Sequence, residues 1–344
     1  MTSYAFWNNK GGVGKSFLAF IASTEYAHLH QDSDVYVIDL CPQGNLSETL
    51  LGGFDPDAKA LLELTTAKPR QTVAGYLEER LNSPFKMIDN IDQYISHPKK
   101  YNSKIPENLW LVCGDNLLEI LAEAIRQTSQ LSVPFDAWGK VIGWVNDLRQ
   151  SLKKRSGDRE AIFIIDCNPS FAVYTQLGLA AADNVVVPFT ADDSSRRGIE
   201  NVIALLYGVG DKHTETYAKI SFAKKAIDEG ISQPKLHTFV SNRVTLYDGQ
   251  PSKAFRVVNE RVKETVDRIH KRHRHFYAVP KETPSSSFVQ IPDYHGACVY
   301  CAATGTPIFH LTPGPKSFDG ERVQLNKEPL DNYKTALRNF VERL

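Results

Sequence analysis

A glycine-rich loop between an apolar strand and a helix constrains the fold more than any other feature of this sequence. Residues 4–7 are an apolar strand, and helix-compatible sequence continues from Phe17 to His28; the loop between them reads Asn8-Asn9-Lys10-Gly11-Gly12-Val13-Gly14-Lys15-Ser16. From Asn9 onward the residues follow the phosphate-binding pattern G-x-x-x-x-G-K-[ST], except that Asn9 replaces the first glycine. This order predicts an open α/β sheet with the loop at the carboxyl end of a strand.

The loop itself predicts a triphosphate site. Glycines let the backbone curl so that successive N–H groups point at phosphate oxygens, and the following helix adds its positive N-terminal end. Lys15 is expected to neutralise the β- and γ-phosphates, and the Ser16 hydroxyl to bind Mg²⁺. The expected nucleotide contacts are Gly11, Gly12, Val13, Gly14, Lys15, Ser16 and Phe17. The implied cofactors are ATP and Mg²⁺; the alternative is a glycine-rich turn beside a surface lysine.

The run from Lys10 to Ser16 resembles the loop of the ParA/MinD family of partitioning and positioning ATPases, which carries an additional signature lysine. Lys10 matches that lysine. The resemblance implies a homodimer with ATP between its two subunits, in which Lys10 of one subunit reaches the nucleotide of the other. It makes Lys10, Lys15 and Asp39 the catalytic candidates. The alternative for Lys10 is a solvated lysine beside the loop.

Two later apolar strands end in aspartates that resemble the other family motifs. Residues 35–38 precede Asp39-Leu40-Cys41-Pro42-Gln43-Gly44-Asn45, similar to the first switch, D-x-D-P-Q-G-N. Residues 161–165 precede Asp166-Cys167-Asn168-Pro169-Ser170, similar to the second switch, D-x-P-P-S, with Asn168 in place of its first proline. The resemblance implies a metal site formed by Ser16, Asp39 and Asp166.

Cys41 departs from this pattern, because the family has there the aspartate that orients or activates the attacking water. A neutral thiol is a poor replacement for a carboxylate in that role. Either hydrolysis is slow and the ATP-bound state is long-lived, which we favour, or Asp39 or Gln43 takes over. A third possibility is that Cys41 is a small buried residue at a strand end.

The resemblance extends over most of the chain and implies a doubly wound, mostly parallel sheet flanked by helices, the fold of P-loop NTPases. Further strands are expected at 109–112, 185–188 and 238–240. Asp192 or Ser194 is expected to cap the helix after the second of these. After the third, Asn242 or Arg243 is a candidate contact to the adenine edge, with a strand-end cap as the alternative. We expect one domain over residues 1–344, with insertions at about 46–108 and 275–327.

Basic residues concentrate in a predicted helix over 251–275. The chain has 40 Lys+Arg and 40 Asp+Glu, so attraction to nucleic acid has to come from a local surface. ParA-like proteins bind DNA non-specifically through their C-terminal half, which makes this helix a candidate DNA surface. Interspersed acidic residues favour the alternative, a solvated charged face. The candidate DNA contacts are Arg268, Lys271, Arg272 and Arg274.

Several classes of protein are disfavoured. No secretory signal or bilayer-spanning apolar run is present, and the C-terminal tail is too weakly cationic for a membrane-targeting helix. Five cysteines indicate reduced thiols in a cytoplasmic protein. The lone pair Cys298 and Cys301 favours buried helix positions over a zinc or redox site. Because the loop begins at residue 10, we do not expect an N-terminal helix-turn-helix domain or sequence-specific repression.

The sequence therefore predicts a ParA-like ATPase switch whose ATP-bound homodimer binds DNA and positions a cargo. The expected partners are a ParB-like or adaptor protein and nucleoid DNA, without membrane attachment. A slowly hydrolysing nucleotide-gated scaffold is the alternative that Cys41 favours. A metabolic synthase that uses the same phosphate loop is a third reading.

Overall fold

A computed structural model describes residues 1–54, 59–190, 192, 194–210, 221–247 and 250–344. Its strands are β1 (Thr2–Phe6), β2 (Ser33–Leu40), β3 (Leu109–Val112), β4 (Glu160–Cys167), β5 (Asn184–Thr190), β6 (Lys235–Val244), β7 (Leu246–Tyr247), β8 (Gln250–Pro251), β9 (Phe288–Pro292), β10 (Gly314–Phe318) and β11 (Glu321–Leu325).

The described helices lie between these strands and follow the last one. They are α1 (Lys15–Leu29), α2 (Asn45–Leu50), α3 (Lys59–Thr66), α4 (Val73–Asn82), α5 (Leu117–Thr128), α6 (Ala137–Ile142), α7 (Trp144–Ser156), α8 (Val173–Ala180), α9 (Ser194–Tyr207), α10 (Phe222–Asp228), α11 (Lys253–Arg272), α12 (His295–Thr304) and α13 (Lys327–Val341).

Seven strands form the main sheet in the order β3-β2-β4-β1-β5-β6-β9. All six neighbouring pairs are parallel. The central strands are buried on both faces, which explains why they read as continuous apolar runs. The expected doubly wound parallel sheet is confirmed.

Helices cover both faces of this sheet, and each strand alternates between the two cores. Ala5 of β1 and Trp7, the residue that follows β1, face a core shared with α4 to α11. Tyr4 and Phe6 face the opposite core, which α1, α2, α12 and α13 complete. Such a sheet binds ligands at the carboxyl ends of its strands, where the connections open.

The pairing register brings the motif residues together at that edge. Asp166 on β4 is the register partner of Phe6 on β1 and of Asp39 on β2. On the other side of β1, Thr190 at the end of β5 pairs with Asn242 on β6. The glycine-rich loop therefore lies between two pairs of polar strand ends.

The sequence-based boundaries need two corrections near the C-terminus. The segment 275–327 is not wholly an insertion, because β9 pairs with β6 and forms an edge of the main sheet. The strand is short and ends at Pro292, with only Val289 and Ile291 well buried, so its apolar pattern is weak. The basic helix ends at Arg272, and Arg274 lies in a separate 3₁₀ turn.

The region 46–108 contains α3, α4 and most of α2, which pack into the two hydrophobic cores, and polar contacts add to this attachment. Asn102 donates through Nδ2 to the carbonyl oxygen of Leu50 at 3.3 Å and to that of Gly305 at 2.7 Å. These bonds fix the end of α2 against the end of α12.

Among the described residues, no helix combines the length and apolar character needed to cross a bilayer.

Candidate active site

The glycine-rich loop has the geometry of an anion cradle. Gly12 and Gly14 have φ values of 73° and 89°, in the left-handed region that glycine adopts without steric cost. Within the described part of the chain, the backbone N–H groups of residues 11–14 donate no intramolecular hydrogen bond. They are available to a ligand at the N-terminus of α1, where the helix dipole favours negative charge.

Lys15 begins α1 and is almost fully buried. Its Nζ donates to the carbonyl oxygen of Lys10 at 2.9 Å, so the ammonium lies across the loop. Burial lowers the pKa of Lys15, and the nearby Asp166 partly offsets this effect. Phe17, another predicted nucleotide contact, is half-buried on the same helix with its ring beside Phe20.

Two asparagines that precede the loop tie it to the rest of the site. Asn8 is fully buried; its Nδ2 donates to the carbonyl oxygen of Pro188 at 2.7 Å, and its Oδ1 accepts from the Lys10 amide at 3.0 Å. Asn9, which replaces the first glycine of the motif, donates through Nδ2 to the carbonyl oxygen of Pro169 at 3.2 Å. The loop is therefore linked to β5 and to the second switch.

Asn242 lies beside the loop at the end of β6. Its buried side chain donates through Nδ2 to the carbonyl oxygen of Val13 at 3.0 Å and accepts the Arg243 amide through Oδ1 at 3.0 Å. Arg243 is exposed and has a φ of 58°. Contact of either residue with adenine stays a prediction.

Asp166 is a fully buried carboxyl group that the surrounding protein stabilises only in part. Among the described residues, neither of its oxygens has a hydrogen-bond donor of ordinary geometry. Burial raises the pKa of Asp166 and repulsion from Asp39 adds to it, while the Ser16 hydroxyl and the Lys15 charge act in the opposite direction. Such a group is costly unless a cation neutralises it, so Asp166 opposite Ser16 fits a divalent metal.

Asp39 is equally buried, but both of its carboxylate oxygens accept hydrogen bonds. Its Oδ1 accepts from the Cys41 amide at 3.0 Å, and its Oδ2 accepts from the Ser47 amide at 3.0 Å and hydroxyl at 2.7 Å. The Ser47 hydroxyl in turn accepts from the Gly114 amide at 2.8 Å. Burial raises the pKa of Asp39, and the bonds from Ser47 and Cys41 counteract that effect. Asp39 thus fixes the start of the first switch.

Cys41 is buried directly after the end of β2, two residues beyond Asp39. Burial, followed by the charges of Asp39 and Asp166, raises the pKa of its thiol to about 12. The thiol is therefore neutral, and its Sγ has a distant partner, Asn168 Nδ2 at 3.9 Å. A neutral thiol in this position lacks the basicity and the acceptor strength that orient a water molecule.

Lys10 is held within its own chain. Its Nζ forms an ion pair with Asp192 and donates to Thr190 Oγ1 at 3.3 Å. Burial tends to raise the pKa of Asp192, but hydrogen bonds from Lys10, Ser194 and Thr190 outweigh it and hold that pKa well below its usual range. Asp192 Oδ1 also accepts from the Ser194 amide at 3.0 Å, so this carboxylate satisfies a backbone donor at the first residue of α9.

The basic residues of α11 differ in their surroundings. Arg268 Nη2 lies 3.1 Å from Glu200 Oε1, and Glu200 also pairs with Arg196 at 2.8 Å. Across the described ranges, Lys271 and Arg272 of α11 and Arg274 in the following 3₁₀ turn form no ion pair, and all three are exposed. The helices α9 and α11 therefore present a partly neutralised basic surface.

Several site residues lacked a usable sequence signal. Asn8, Ser47 and Thr190 are small polar residues whose partners lie far away in the chain, so neither spacing nor periodicity identifies them. Only Asn9 stood out, as the departure from the first glycine of the motif.

Comparison with known proteins supports this picture at the level of the fold. The family model AAA_31, described as an AAA domain, matches residues 1–219. No curated protein matches the sequence. Three solved structures are similar at 17% identity, which indicates a shared fold alone. The ATP complex of a McdA variant from Cyanothece has a TM-score of 0.55 and covers 98% of this chain and 96% of its own.

The other two structures extend the same similarity. A protein of Borrelia burgdorferi B31 assigned to plasmid partition, bound to AMPPNP, has a TM-score of 0.54 and covers 100% of this chain and 99% of its own. Protein DIP2308 from Corynebacterium diphtheriae has a TM-score of 0.54 and covers 88% and 96%, respectively.

Proposed function

Since this chain belongs to the ParA/MinD-like AAA_31 family, we propose that it is an ATPase switch that binds ATP with Mg²⁺ and closes a homodimer around the nucleotide. The observation that carries the proposal is that, among the described residues, the loop amides of residues 11–14 and the buried oxygens of Asp166 both lack a hydrogen-bond partner of ordinary geometry. An anion cradle and a buried carboxylate that lacks a cation are the two halves of a metal–nucleotide site.

Each residue of this site has its own proposed role in binding the nucleotide or the metal. The amides of residues 11–14 and the Lys15 ammonium bind phosphate oxygens, and Ser16 and Asp166 hold Mg²⁺, with Asp39 supporting its water shell. The bound Mg²⁺ supplies charge neutralisation for the phosphates. Asp39 also keeps the first switch in place through Ser47, and Asn9 links the loop to the second switch at Pro169.

Lys10 is the proposed contribution of each subunit to its partner. A cation supplied in trans neutralises charge that accumulates on the phosphates during transfer. It also makes dimerisation depend on the nucleotide. The described Borrelia protein binds AMPPNP and the McdA variant binds ATP, which supports a nucleotide site in this fold.

The output of the switch is proposed to be non-specific DNA binding and cargo positioning by the single domain 1–344. Lys271, Arg272 and Arg274 supply positive charge, no described residue forms an ion pair with any of them, and Arg268 flanks them. A ParB-like or adaptor protein would stimulate release, and the protein would work in the cytoplasm on the nucleoid. Membrane attachment is not part of the proposal.

Cys41 favours a second candidate function, a nucleotide-gated scaffold that hydrolyses ATP very slowly. The neutral thiol leaves the attacking water without its usual carboxylate partner. Under this alternative the ATP-bound dimer is the stable working state, and release depends on nucleotide exchange.

Light scattering after size exclusion tests the proposed switch. Mass is measured without nucleotide, with ADP, and with a non-hydrolysable ATP analogue, each with Mg²⁺, for the wild type and Lys10→Ala. We expect doubled mass with the analogue alone, and a monomer for Lys10→Ala even where calorimetry shows that this variant still binds the analogue. A wild-type mass that is the same in all three nucleotide conditions would refute the proposal of a nucleotide-dependent dimer.

A further inference from the structure

The ion pair between Lys10 and Asp192 joins the residue that the proposed dimer needs to a carboxylate of its own subunit. Asp192 follows the end of β5, and Lys10 lies in the glycine-rich loop. The Lys10 side chain is 28% exposed and that of Asp192 is 46% exposed, so the pair lies at the open edge of the site.

Asp192 is a fixed acceptor. Its Oδ1 accepts from the Ser194 amide at 3.0 Å and from the Ser194 hydroxyl at 2.7 Å. Its Oδ2 accepts from the Thr190 hydroxyl at 2.9 Å and pairs with Lys10. Because β5 and α9 hold this carboxylate in place, an ammonium that leaves the subunit has to leave Asp192 behind.

We propose that Asp192 is a positioning residue for Lys10, which holds the ammonium inside its own subunit until a triphosphate competes for it. The inference rests on the proposed function, since it concerns the lysine offered to the partner. In the absence of nucleotide, Asp192 takes the place of the phosphate as counter-ion. Transfer of Lys10 to the partner's nucleotide breaks this pair, so the pair opposes dimerisation.

The same contact favours ATP over ADP as the trigger. The carboxylate carries one negative charge, and the phosphate chain has to attract Lys10 more strongly than this charge does. The γ-phosphate adds negative charge to the phosphate chain of the nucleotide, so a triphosphate competes with Asp192 for Lys10 better than a diphosphate does. Asp192 thus raises the threshold that a nucleotide has to pass before Lys10 is released.

Asp192→Asn separates this role from helix capping. Asparagine retains a side-chain oxygen that accepts the Ser194 amide about as well as aspartate does, so this bond at the start of α9 is kept while the charge that holds Lys10 is lost. Ser194→Ala is the matched control, because it removes one hydrogen bond to Asp192 and leaves Lys10 untouched. Asp192→Glu keeps the charge and is expected to restore most of the wild-type behaviour.

The first measurement is the rate at which acetic anhydride modifies Lys10 in nucleotide-free protein, followed by mass spectrometry relative to the other lysines. We expect a rate about two- to fivefold higher in Asp192→Asn, the range of a broken, partly exposed ion pair, and a wild-type rate in Ser194→Ala. An unchanged rate in Asp192→Asn overturns the proposal. This measurement needs neither ATP binding nor a dimer.

The second measurement is the concentration of non-hydrolysable ATP analogue that gives half-maximal dimer. We expect Asp192→Asn to lower it about three- to tenfold and Ser194→Ala to leave it unchanged. A higher concentration for Asp192→Asn would mean that Asp192 supports Lys10 within the dimer, which contradicts the proposal. A wild type that binds no ATP would refute the proposed function. The acetylation rates would still show whether Asp192 holds Lys10 in the nucleotide-free protein.

Discussion

The side-chain amide of Asn242 donates to the carbonyl oxygen of Val13 at 3.0 Å, so the end of β6 braces the glycine-rich loop. This contact also determines what can stand at position 14. A Cβ on Gly14 would overlap the Nδ2 atom of Asn242, and the φ of 89° disfavours any side chain there. The loop and the strand end are therefore fitted to each other.

Asn242→Ala is expected to weaken ATP and GTP binding to the same extent, because the lost bond supports the loop that grips the phosphates. The loss of one neutral hydrogen bond is worth about 1 kcal/mol, or roughly fivefold in dissociation constant. Calorimetry with both nucleotides measures it, with Arg243→Ala as the neighbouring control. A loss confined to ATP would instead assign Asn242 to adenine recognition.

Asp166→Asn is expected to stabilise the nucleotide-free protein while it abolishes the effect of Mg²⁺ on ATP binding. The buried carboxyl group has no donor of ordinary geometry among the described residues, and its replacement by a neutral amide is worth about 1–2 kcal/mol. Thermal unfolding without Mg²⁺ should show a higher Tm, and calorimetry with and without EDTA should show equal ATP affinities.

Asp39→Asn is the matched comparison for that result. Asp39 accepts three hydrogen bonds, and an amide can accept only through its single oxygen. We expect a lower Tm for this variant, since a donor of Ser47 or Cys41 would then face an NH₂ group. Stabilisation by both substitutions would show that the two buried carboxylates are not distinguished by their hydrogen bonds.

His237 gives the protein a predicted pH dependence. Burial, with a smaller effect of Arg343, lowers the pKa of the ring, which lies edge-to-face against Tyr4. Below about pH 6.5 the unfolded chain takes up a proton that the folded chain resists, so stability falls as the pH falls. His237→Gln should reduce the loss of Tm between pH 7.5 and 5.5. Because the chain has 10 histidines, the difference between variant and wild type is what tests the assignment.

The sequence predicted the parts of this fold that depend on local pattern. The loop from Lys10 to Ser16 and the strands that end in Asp39 and Asp166 were identified because glycine spacing and continuous apolar runs are local properties. The family match and the parallel sheet confirm the family and the fold. The edge strand β9 was missed because its alternation is short and ends at a proline.

The contacts that complete the site could not be predicted in the same way. Lys10 meets Asp192 only because β1 and β5 are neighbours in the sheet, and Asn8 reaches Pro188 for the same reason. Ser47 was overlooked because a serine in a short helix has no distinguishing pattern until Asp39 lies beside it. Such pairs depend on strand order, which the chain sequence does not display directly.

Replacement of Lys271, Arg272 and Arg274 by alanine is expected to weaken binding to random-sequence DNA and to reduce its salt dependence. Each phosphate contact adds about 0.9 to the slope of log affinity against log salt, so the slope should fall by about 2 to 3. Gel shifts over a salt series measure this. Arg268→Ala is the control and should reduce the DNA affinity and its salt dependence less, because Glu200 already neutralises Arg268. Equal effects of Arg268→Ala and the triple variant would favour a solvated charged face.

Cys41→Asp is expected to raise ATP turnover at least tenfold, because it restores a carboxylate where the attacking water needs an acceptor. The neutral thiol of the wild type, with a pKa of about 12, supplies neither a base nor a strong acceptor. Phosphate release under saturating ATP and Mg²⁺ measures the change. A third carboxylate beside Asp39 and Asp166 should at the same time lower the Tm of the nucleotide-free protein.

Cys41→Asn controls for size and polarity, since it introduces an amide without a base and should leave turnover near the wild-type rate. A rise for aspartate alone would show that the chemistry was limited by the missing carboxylate, and that slow hydrolysis is built into the natural sequence. Equal turnover in all three proteins would mean that another group, such as Asp39 or Gln43, already positions the water. The long-lived ATP state would then have to come from slow release of products rather than from Cys41.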